Sequence, residues 1–193
     1  MPVPEPTHEP RIKGTAIRGI LKAAERLCPP GTLQKVVALL PAQIAPAVEH
    51  GGFISAGWYP LAHCRTIFGA VMQATGRDVE LVRELSREAT RDDFRGVYRL
   101  LTFVLSPEFL MRRSPGIFSR YYDTGSLTVP VARHGYVEAH YRGCVGFDRV
   151  LWADIIAGSA TVVEVCGAKD LRFQIVRGGG DGDEECDVVG EWR

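Results

Sequence analysis

The sequence has 193 residues and no net charge at pH 7, and 46% of its residues are hydrophobic. This length and apolar content are sufficient for one domain with a sizeable core. Proteins that bind nucleic acids or membrane surfaces normally carry a basic excess, so the balanced charge argues against both classes. No apolar run approaches the ~20 residues that a membrane-spanning helix needs.

The start of the chain differs in composition from the rest. Residues 1–10 contain four prolines and two glutamates, and they lack the apolar stretch of a signal peptide. We therefore predict a disordered leader over 1–11. A single domain is predicted over 12–193, with a helical half over 12–125 and a sheet half over 126–193.

Apolar residues at spacings of three and four predict five helices in the first half of the chain. They cover 13–27, 33–40, 58–75, 78–105 and 107–122. Thr32, Asp78 and Ser106 are the expected N-caps, and Gly76 is expected to end the third helix. The fifth helix is expected to break at 114–116, where a proline and a glycine follow a serine.

Arginines recur every four residues along the helix predicted over 78–105, a spacing that could suggest a phosphate-binding face. They are Arg83, Arg87, Arg91, Arg95 and Arg99. An acidic residue lies three positions before each of the first four, and such pairs neutralise each other on a helix surface. The stripe therefore indicates a solvated helix face.

From Leu127 onward the apolar period changes to two. Two strands around 134–135 predict a hairpin, in which Pro130 must lie at an edge or a bulge. A helix follows from Phe147, and the β-branched run 161–166 predicts a strand. Two further strands end at Trp192 and enclose an acidic loop at 181–185. The expected fold class is α+β, a helical half followed by a small antiparallel sheet with a crossing helix.

Several residues that could carry chemistry are better explained without it. His63 and Cys64 are adjacent on a helix, so their side chains point about 100° apart. His134 and His140 lack further ligands for a metal, and the loop 181–185 lacks the EF-hand pattern. The five cysteines form no CxxC pair and are expected to be reduced thiols. We predict no metal site and no catalytic residues.

Glu164 is the one acid within the apolar run 161–166, where it shares a strand face with Val162 and Cys166 if that run is a strand. A buried carboxylate needs a partner or must remain protonated. Two explanations stay open. Glu164 pairs with Arg172 across the next turn, or it lines a ligand cavity.

The order of the predicted elements resembles a ligand-binding superfamily. This superfamily contains haem–nitric-oxide-binding domains, vinyl-reductase-type domains and the TRAPP vesicle-tethering subunits. The vinyl-reductase-type signature has a glutamate, a cysteine, a small residue and an aromatic residue, and Glu164, Cys166, Ala168 and Phe173 resemble it in order. The interval between the cysteine and the aromatic residue is shorter here, and the second cysteine of that signature is replaced.

The chain from about Ile12 to Trp192 also resembles an uncharacterised paralogous family of about 200-residue proteins from the myxobacteria. The shared features are a start similar to KGxxxxGxL at Lys13, the segment SPEFLMRRSPxxF at Ser106, and a last strand that ends in tryptophan. This family has no agreed activity.

Resemblance to the haem-binding members implies an axial histidine on a helix before the sheet and a Tyr-x-Ser-x-Arg clamp for the propionates. The helices predicted over 78–105 and 107–122 contain no histidine. The nearest aromatic cluster, at 121–123, lacks the serine and arginine of the clamp. We therefore expect no haem and no other cofactor.

The resemblance implies a pocket between the helical half and the sheet, where relatives hold haem or acyl chains. We predict a cytoplasmic, non-enzymatic ligand-binding or regulatory module that takes a hydrophobic small molecule. The candidate lining residues are Trp58, Phe68, Phe103, Phe118, Tyr121, Trp152, Glu164 and Cys166. The alternative for each is an ordinary place in the core. The alternatives for the whole protein are a scaffold that binds a protein partner or forms a homodimer, an enzyme acting on a tetrapyrrole, and a haem gas sensor.

Overall fold

The structure is a computed structural model that describes residues 9–95 and 106–193. The helices in these ranges are α1 (Gly14–Leu27), α2 (Thr32–Leu39), α3 (Ala45–Glu49), α4 (Leu61–Thr75), α5 (Val79–Arg95), α6 (Pro107–Tyr121) and α7 (Arg149–Val165). The strands are β1 (Arg11–Lys13), β2 (Trp58–Pro60), β3 (Ser126–Arg133), β4 (Tyr136–Arg142), β5 (Arg172–Gly178) and β6 (Cys186–Glu191). The predicted α+β class is confirmed. No helix in the described ranges is long and apolar enough to cross a membrane.

Local capping chemistry explains three helix ends that the sequence predicted. The Asp78 carboxylate accepts a hydrogen bond from the backbone N–H of Glu80 at 3.0 Å, which places it at the start of α5. The Ser106 hydroxyl accepts from the backbone N–H of Phe109 at 3.2 Å at the start of α6. Gly76 ends α4 in the left-handed conformation, with φ of 68°. Each cap satisfies a backbone group that the helix leaves free.

The prediction that Thr32 is an N-cap was wrong. Helix α2 includes Thr32, and the capping position is taken by Gly31 in the left-handed conformation. The Thr32 hydroxyl instead donates to the Pro29 carbonyl at 2.7 Å. Residues 58–60 form strand β2 rather than a first helical turn, because they pair with β1. Strand β1 begins at Arg11, one residue inside the predicted leader.

Helix α6 passes through Pro115 without the predicted break. Proline has no N–H to donate to the carbonyl four residues earlier, which here belongs to Met111. The Ser114 hydroxyl donates to that carbonyl at 2.7 Å. A side-chain donor therefore replaces the missing backbone donor and the helix continues.

The predicted strand over 161–166 is also wrong, because these residues form the last turns of α7 and its C-cap. Asp148 caps the start of this helix, accepting from the backbone N–H groups of Val150 and Leu151. Near the other end, the Thr161 hydroxyl donates to the Ala157 carbonyl at 2.9 Å. β-Branched residues only weakly disfavour a helix, so tertiary packing of α7 overrides the local preference.

The sheet has the strand order β3-β4-β6-β5 and is antiparallel throughout. Both predicted hairpins are confirmed. The register of β3 against β4 shifts between Thr128 and Val131, which places Pro130 in a bulge on an edge strand. Strand β5 is the other edge, and its Ile175 and Val176 side chains are exposed.

A chain of aromatic contacts joins the helices to the sheet. Phe118 of α6 stacks on Tyr122 with ring centroids 5.0 Å apart and meets the edge of Tyr141 of β4 at 5.7 Å. Tyr141 in turn contacts Trp152 of α7 at 5.6 Å. All four rings are buried, so this cluster fixes where α6 and α7 lie relative to the sheet.

Helix α5 is observed up to Arg95, and the remainder of the predicted helix, with Arg99, lies outside the described residues. Arg83 donates to Glu80 at 2.8 Å, as the solvated-face interpretation predicted. Arg91 pairs instead with Glu164 of α7 at 3.3 Å. Part of the arginine stripe therefore connects α5 to α7 at the protein surface.

A candidate ligand cavity between the helices and the sheet

A cavity of about 370 Å³ lies where α1, α5, α6 and α7 meet the sheet. Helix α4 contributes Cys64 to its wall, and strands β3 and β4 contribute Leu127 and Tyr141. Its volume falls within the range of roughly 300–1,000 Å³ that is usual for small-molecule sites. The cavity occupies the place between helical half and sheet at which the resemblance implied a pocket.

One face of α5 forms a wall of the cavity. Ser86, Ala89, Thr90 and Asp93 line it, and their spacing of three and four residues places them on one side of a helix. Across from them, Gly158 of α7 is close enough that an added Cβ would lie 3.2 Å from the Ser86 hydroxyl oxygen. The small side chains of α5 and α7 at this wall therefore leave room for the cavity.

The inner end of the cavity contains a buried carboxyl group. Asp154 of α7 lines the cavity and is only 8% exposed. The Ser86 hydroxyl donates to the Asp154 backbone carbonyl at 2.6 Å. Burial raises the pKa of Asp154 to about 6, and the neighbouring hydroxyls of Ser86 and Tyr122 oppose the rise.

The other ionisable groups at the inner end remain neutral at pH 7. Burial raises the pKa of the Cys64 thiol and of the Tyr122 phenol well above their usual values. Burial also raises the pKa of Tyr141 to about 12. Asp154 is thus the group of this end that changes charge near neutral pH.

The outer end of the cavity is open to solvent. Ile117 of α6 lines the cavity and is 39% exposed. Asp93 and Arg120 also line it and are exposed, so the rim carries one acidic and one basic side chain. The cavity therefore runs from a buried carboxyl group to a partly apolar opening.

The candidate lining residues from the sequence fall into three groups. Phe118 and Tyr121 line the cavity. Phe68 and Trp152 do not, because both are fully buried in the core. Trp58 lies on β2, where its ring packs under the Lys13 ammonium at 4.0 Å. Phe103 lies outside the described residues.

The last two candidates, Glu164 and Cys166, do not line the cavity either, because the segment is helical. Glu164 is exposed at the end of α7 and pairs with Arg91 at 3.3 Å, not with Arg172. Cys166 is the C-cap of α7. Arg172 pairs in register with Glu191 on the sheet. Both explanations that the sequence left open for Glu164 are therefore wrong.

The sequence analysis missed Asp154, although a signal was present. In α7, Leu151, Ile155 and Gly158 follow one another at spacings of four and three, and Asp154 lies at helical spacing within this apolar stripe. An acid inside an apolar helix face points to a buried carboxylate. Because 161–166 was predicted as a strand, Glu164 was predicted as the candidate buried carboxylate instead.

The remaining candidates form no site among the described residues. No group of three or more histidine, cysteine or acidic side chains in residues 9–95 and 106–193 could hold a metal ion. His134 is exposed and lies 3.4 Å from Glu108. In the acidic loop, Asp183 accepts from the Gly180 backbone N–H at 2.8 Å and Asp181 accepts from that of Arg149 at 3.1 Å. These carboxylates stabilise the loop itself.

Solved structures with a similar fold are H-NOX proteins. An Fe(II) unliganded H-NOX protein from K. algicida superposes with a TM-score of 0.69 and 10% identity, over 94% of this chain and 97% of that one. An oxygen-binding H-NOX domain related to soluble guanylate cyclases gives 0.68 and 13%, over 94% and 95%. The chain has the H-NOX fold. No protein-family model and no curated protein matches it.

An H-NOX fold raises the question of whether this cavity could hold haem. Haem iron is held in proteins by histidine, by thiolate, by methionine together with histidine, or by tyrosine. The described residues that line the cavity include no histidine. Its Cys64, Tyr122 and Tyr141 are kept in their neutral forms by burial, which raises the pKa of each. These side chains fit an axial haem ligand poorly.

The charges of the lining fit the haem propionates no better. Two carboxyl groups, Asp93 and Asp154, and one cation, Arg120, occur among the described lining residues. A dianionic cofactor prefers a surplus of cations. The charges of the described lining therefore fit haem poorly.

Proposed function

We propose that this protein is a non-enzymatic ligand-binding or regulatory module that holds a small apolar molecule, without haem, in its interhelical cavity. The cavity between α5, α6 and α7 is the observation that carries the proposal. Its described walls are mainly apolar, and a buried carboxyl group with neighbouring hydroxyls lies at the inner end, an arrangement typical of small-molecule sites.

The chemistry of the described lining supports binding rather than catalysis. An activated nucleophile requires a lowered pKa or an adjacent base. The Cys64 thiol has a raised pKa because it is buried. The described cavity residues offer no histidine to activate it. We also propose a cytoplasmic location, which the free state of all five cysteines supports. Membership of the myxobacterial family stays a prediction.

Native mass spectrometry of protein purified from its host tests this function. We expect a retained small-molecule adduct in the natural protein. Ile117→Trp, which places a large ring at the cavity opening, should reduce the adduct to a minor fraction. Ser119→Trp is the matched control, because Ser119 is exposed on the same helix and does not line the cavity. Equal adduct in both variants, or none in the natural protein, would contradict the proposal.

A second candidate function is a dimerisation scaffold, and the exposed edge strand β5 favours it. Its unpaired backbone groups and the exposed Ile175 and Val176 could pair with another chain. The same native mass spectra distinguish the two functions. A dimer without any adduct supports the scaffold, and an adduct on the monomer supports the cavity.

A further inference from the structure

Asp154 is a buried acid without a cation among the described residues. It takes part in no ion pair in residues 9–95 and 106–193, whereas Arg83 and Arg91 of α5 pair with Glu80 and Glu164. Its carboxylate faces the cavity from the apolar side of α7. A buried charge is normally paired, because an unpaired one costs several kilocalories per mole.

The groups around Asp154 cannot supply the missing positive charge. Helix α4 presents Cys64, and the chain after α6 presents Tyr122, both neutral. Strand β4 presents Tyr141, and α5 presents Ser86. Arg120, the cation of the described lining, is exposed at the rim together with Asp93. The inner end of the cavity, as the described residues form it, is therefore complementary to a cation.

Helices α5 and α7 are parallel, and they set the direction of the cavity. Ser86 contacts Asp154 near one end, and Arg91 contacts Glu164 near the other. From Ser86 to Asp93, α5 rises about 10 Å. A ligand whose head reaches Asp154 would thus extend its apolar part for about that length towards Ile117 at the opening.

We propose that the cavity binds an apolar amine, with its ammonium group paired to Asp154 and its hydrocarbon part running outward between α5, α6 and α7. This inference rests on the proposed function and assigns its ligand class. An ammonium forms a charge-assisted hydrogen bond to the carboxylate and removes the unpaired charge. An alcohol can donate a hydrogen bond to the carboxylate but leaves its charge unpaired, and a fatty acid places a second carboxylate beside the first.

Isothermal titration calorimetry with octylamine, octan-1-ol and octanoate at about pH 7.5 tests this assignment, since the three probes differ only in their head group. We expect octylamine to bind at least about tenfold more tightly than octan-1-ol, and octanoate to bind most weakly. In Asp154→Asn, octan-1-ol affinity should be retained and the preference for octylamine should fall to within about threefold. Glu25→Gln removes an exposed carboxylate of α1 that does not line the cavity, so it is the matched control and should keep the full preference.

The outcomes separate this inference from the function on which it rests. Equal binding of octylamine and octan-1-ol, or an unchanged amine preference in Asp154→Asn, overturns the amine assignment and leaves the apolar cavity as the site. Loss of the preference in Glu25→Gln as well as in Asp154→Asn overturns the role of Asp154, because a general charge effect would then explain it. If none of the three probes binds, both the assignment and the proposed function fail.

Discussion

The ionised carboxylate of Asp154 destabilises the folded state, and the same charge is the one that the proposed amine would pair with. Its folded-state pKa of about 6 lies above the value of 3.8 that an unburied aspartate has. An acid with a raised folded-state pKa stabilises the fold when it is protonated. That contribution is complete below the unfolded-state pKa and is lost as the pH rises through the folded-state pKa. At neutral pH the protein therefore carries an ionised group that its own core disfavours.

Asp154→Asn should stabilise the protein at alkaline pH. The amide has the shape of the protonated acid and no charge, so the free energy of unfolding should rise by up to about 3 kcal/mol at about pH 8. The gain should shrink as the pH falls and disappear below about pH 3, where the natural residue is protonated in both states. Urea denaturation at both pH values measures the difference.

Glu25→Gln is the control for this pH dependence. Glu25 is exposed on α1 and does not line the cavity, and exposed charges contribute little to stability. Its substitution should therefore shift the free energy of unfolding by less than about 0.5 kcal/mol at either pH. A lower stability of Asp154→Asn at about pH 8 would show that the carboxylate has a stabilising partner, contrary to the structure.

At the level of single elements, the residues at which helices begin were predicted better than the secondary structure that follows them. Asp78 and Ser106 cap their helices as expected, because a cap is a local interaction over two or three residues. The run 161–166 was mistaken for a strand because its β-branched residues favour extended structure locally. In the fold, Val163 of this run packs against Val137 of the sheet and Trp192, and that contact could not be derived from sequence spacing.

The continuity of α6 depends on Ser114. Its hydroxyl donates a hydrogen bond to the Met111 carbonyl. That carbonyl has no backbone donor within the helix because Pro115 lacks an N–H. Ser114→Ala should lower the free energy of unfolding by about 1 kcal/mol, because a half-buried acceptor loses its hydrogen bond. Thermal unfolding of the variant next to the natural protein measures the loss.

Ser119→Ala is the matched control on the same helix. Its hydroxyl also donates three residues back, to Gly116 at 3.2 Å, but it is exposed and no proline follows it. Its substitution should change the free energy of unfolding by less than about 0.5 kcal/mol. Equal effects of the two substitutions would show that the proline is accommodated without Ser114.

At the scale of the whole molecule, the order of elements was predictable and the cavity was not. The sequence analysis predicted mainly large aromatic residues as the lining of the pocket, yet Phe68 and Trp152 lie in the core. The space exists where side chains are small, at Ala89 and Gly158, and small residues carry little signal in a sequence. Because the walls come from helices far apart in the chain, only the packed fold shows which residues share the site.

The fold and the lining of this protein point to different ligands. The fold is that of H-NOX domains, whereas the described lining has no histidine and more acids than cations. A titration of the purified protein with haemin should therefore give no saturable Soret band at one equivalent. The spectrum should match that of haemin added to the same protein after unfolding. A sharp band that saturates at one equivalent and survives gel filtration would show that haem fits this cavity after all, and it would overturn both the chemical argument from the lining and the proposal of a haem-free site.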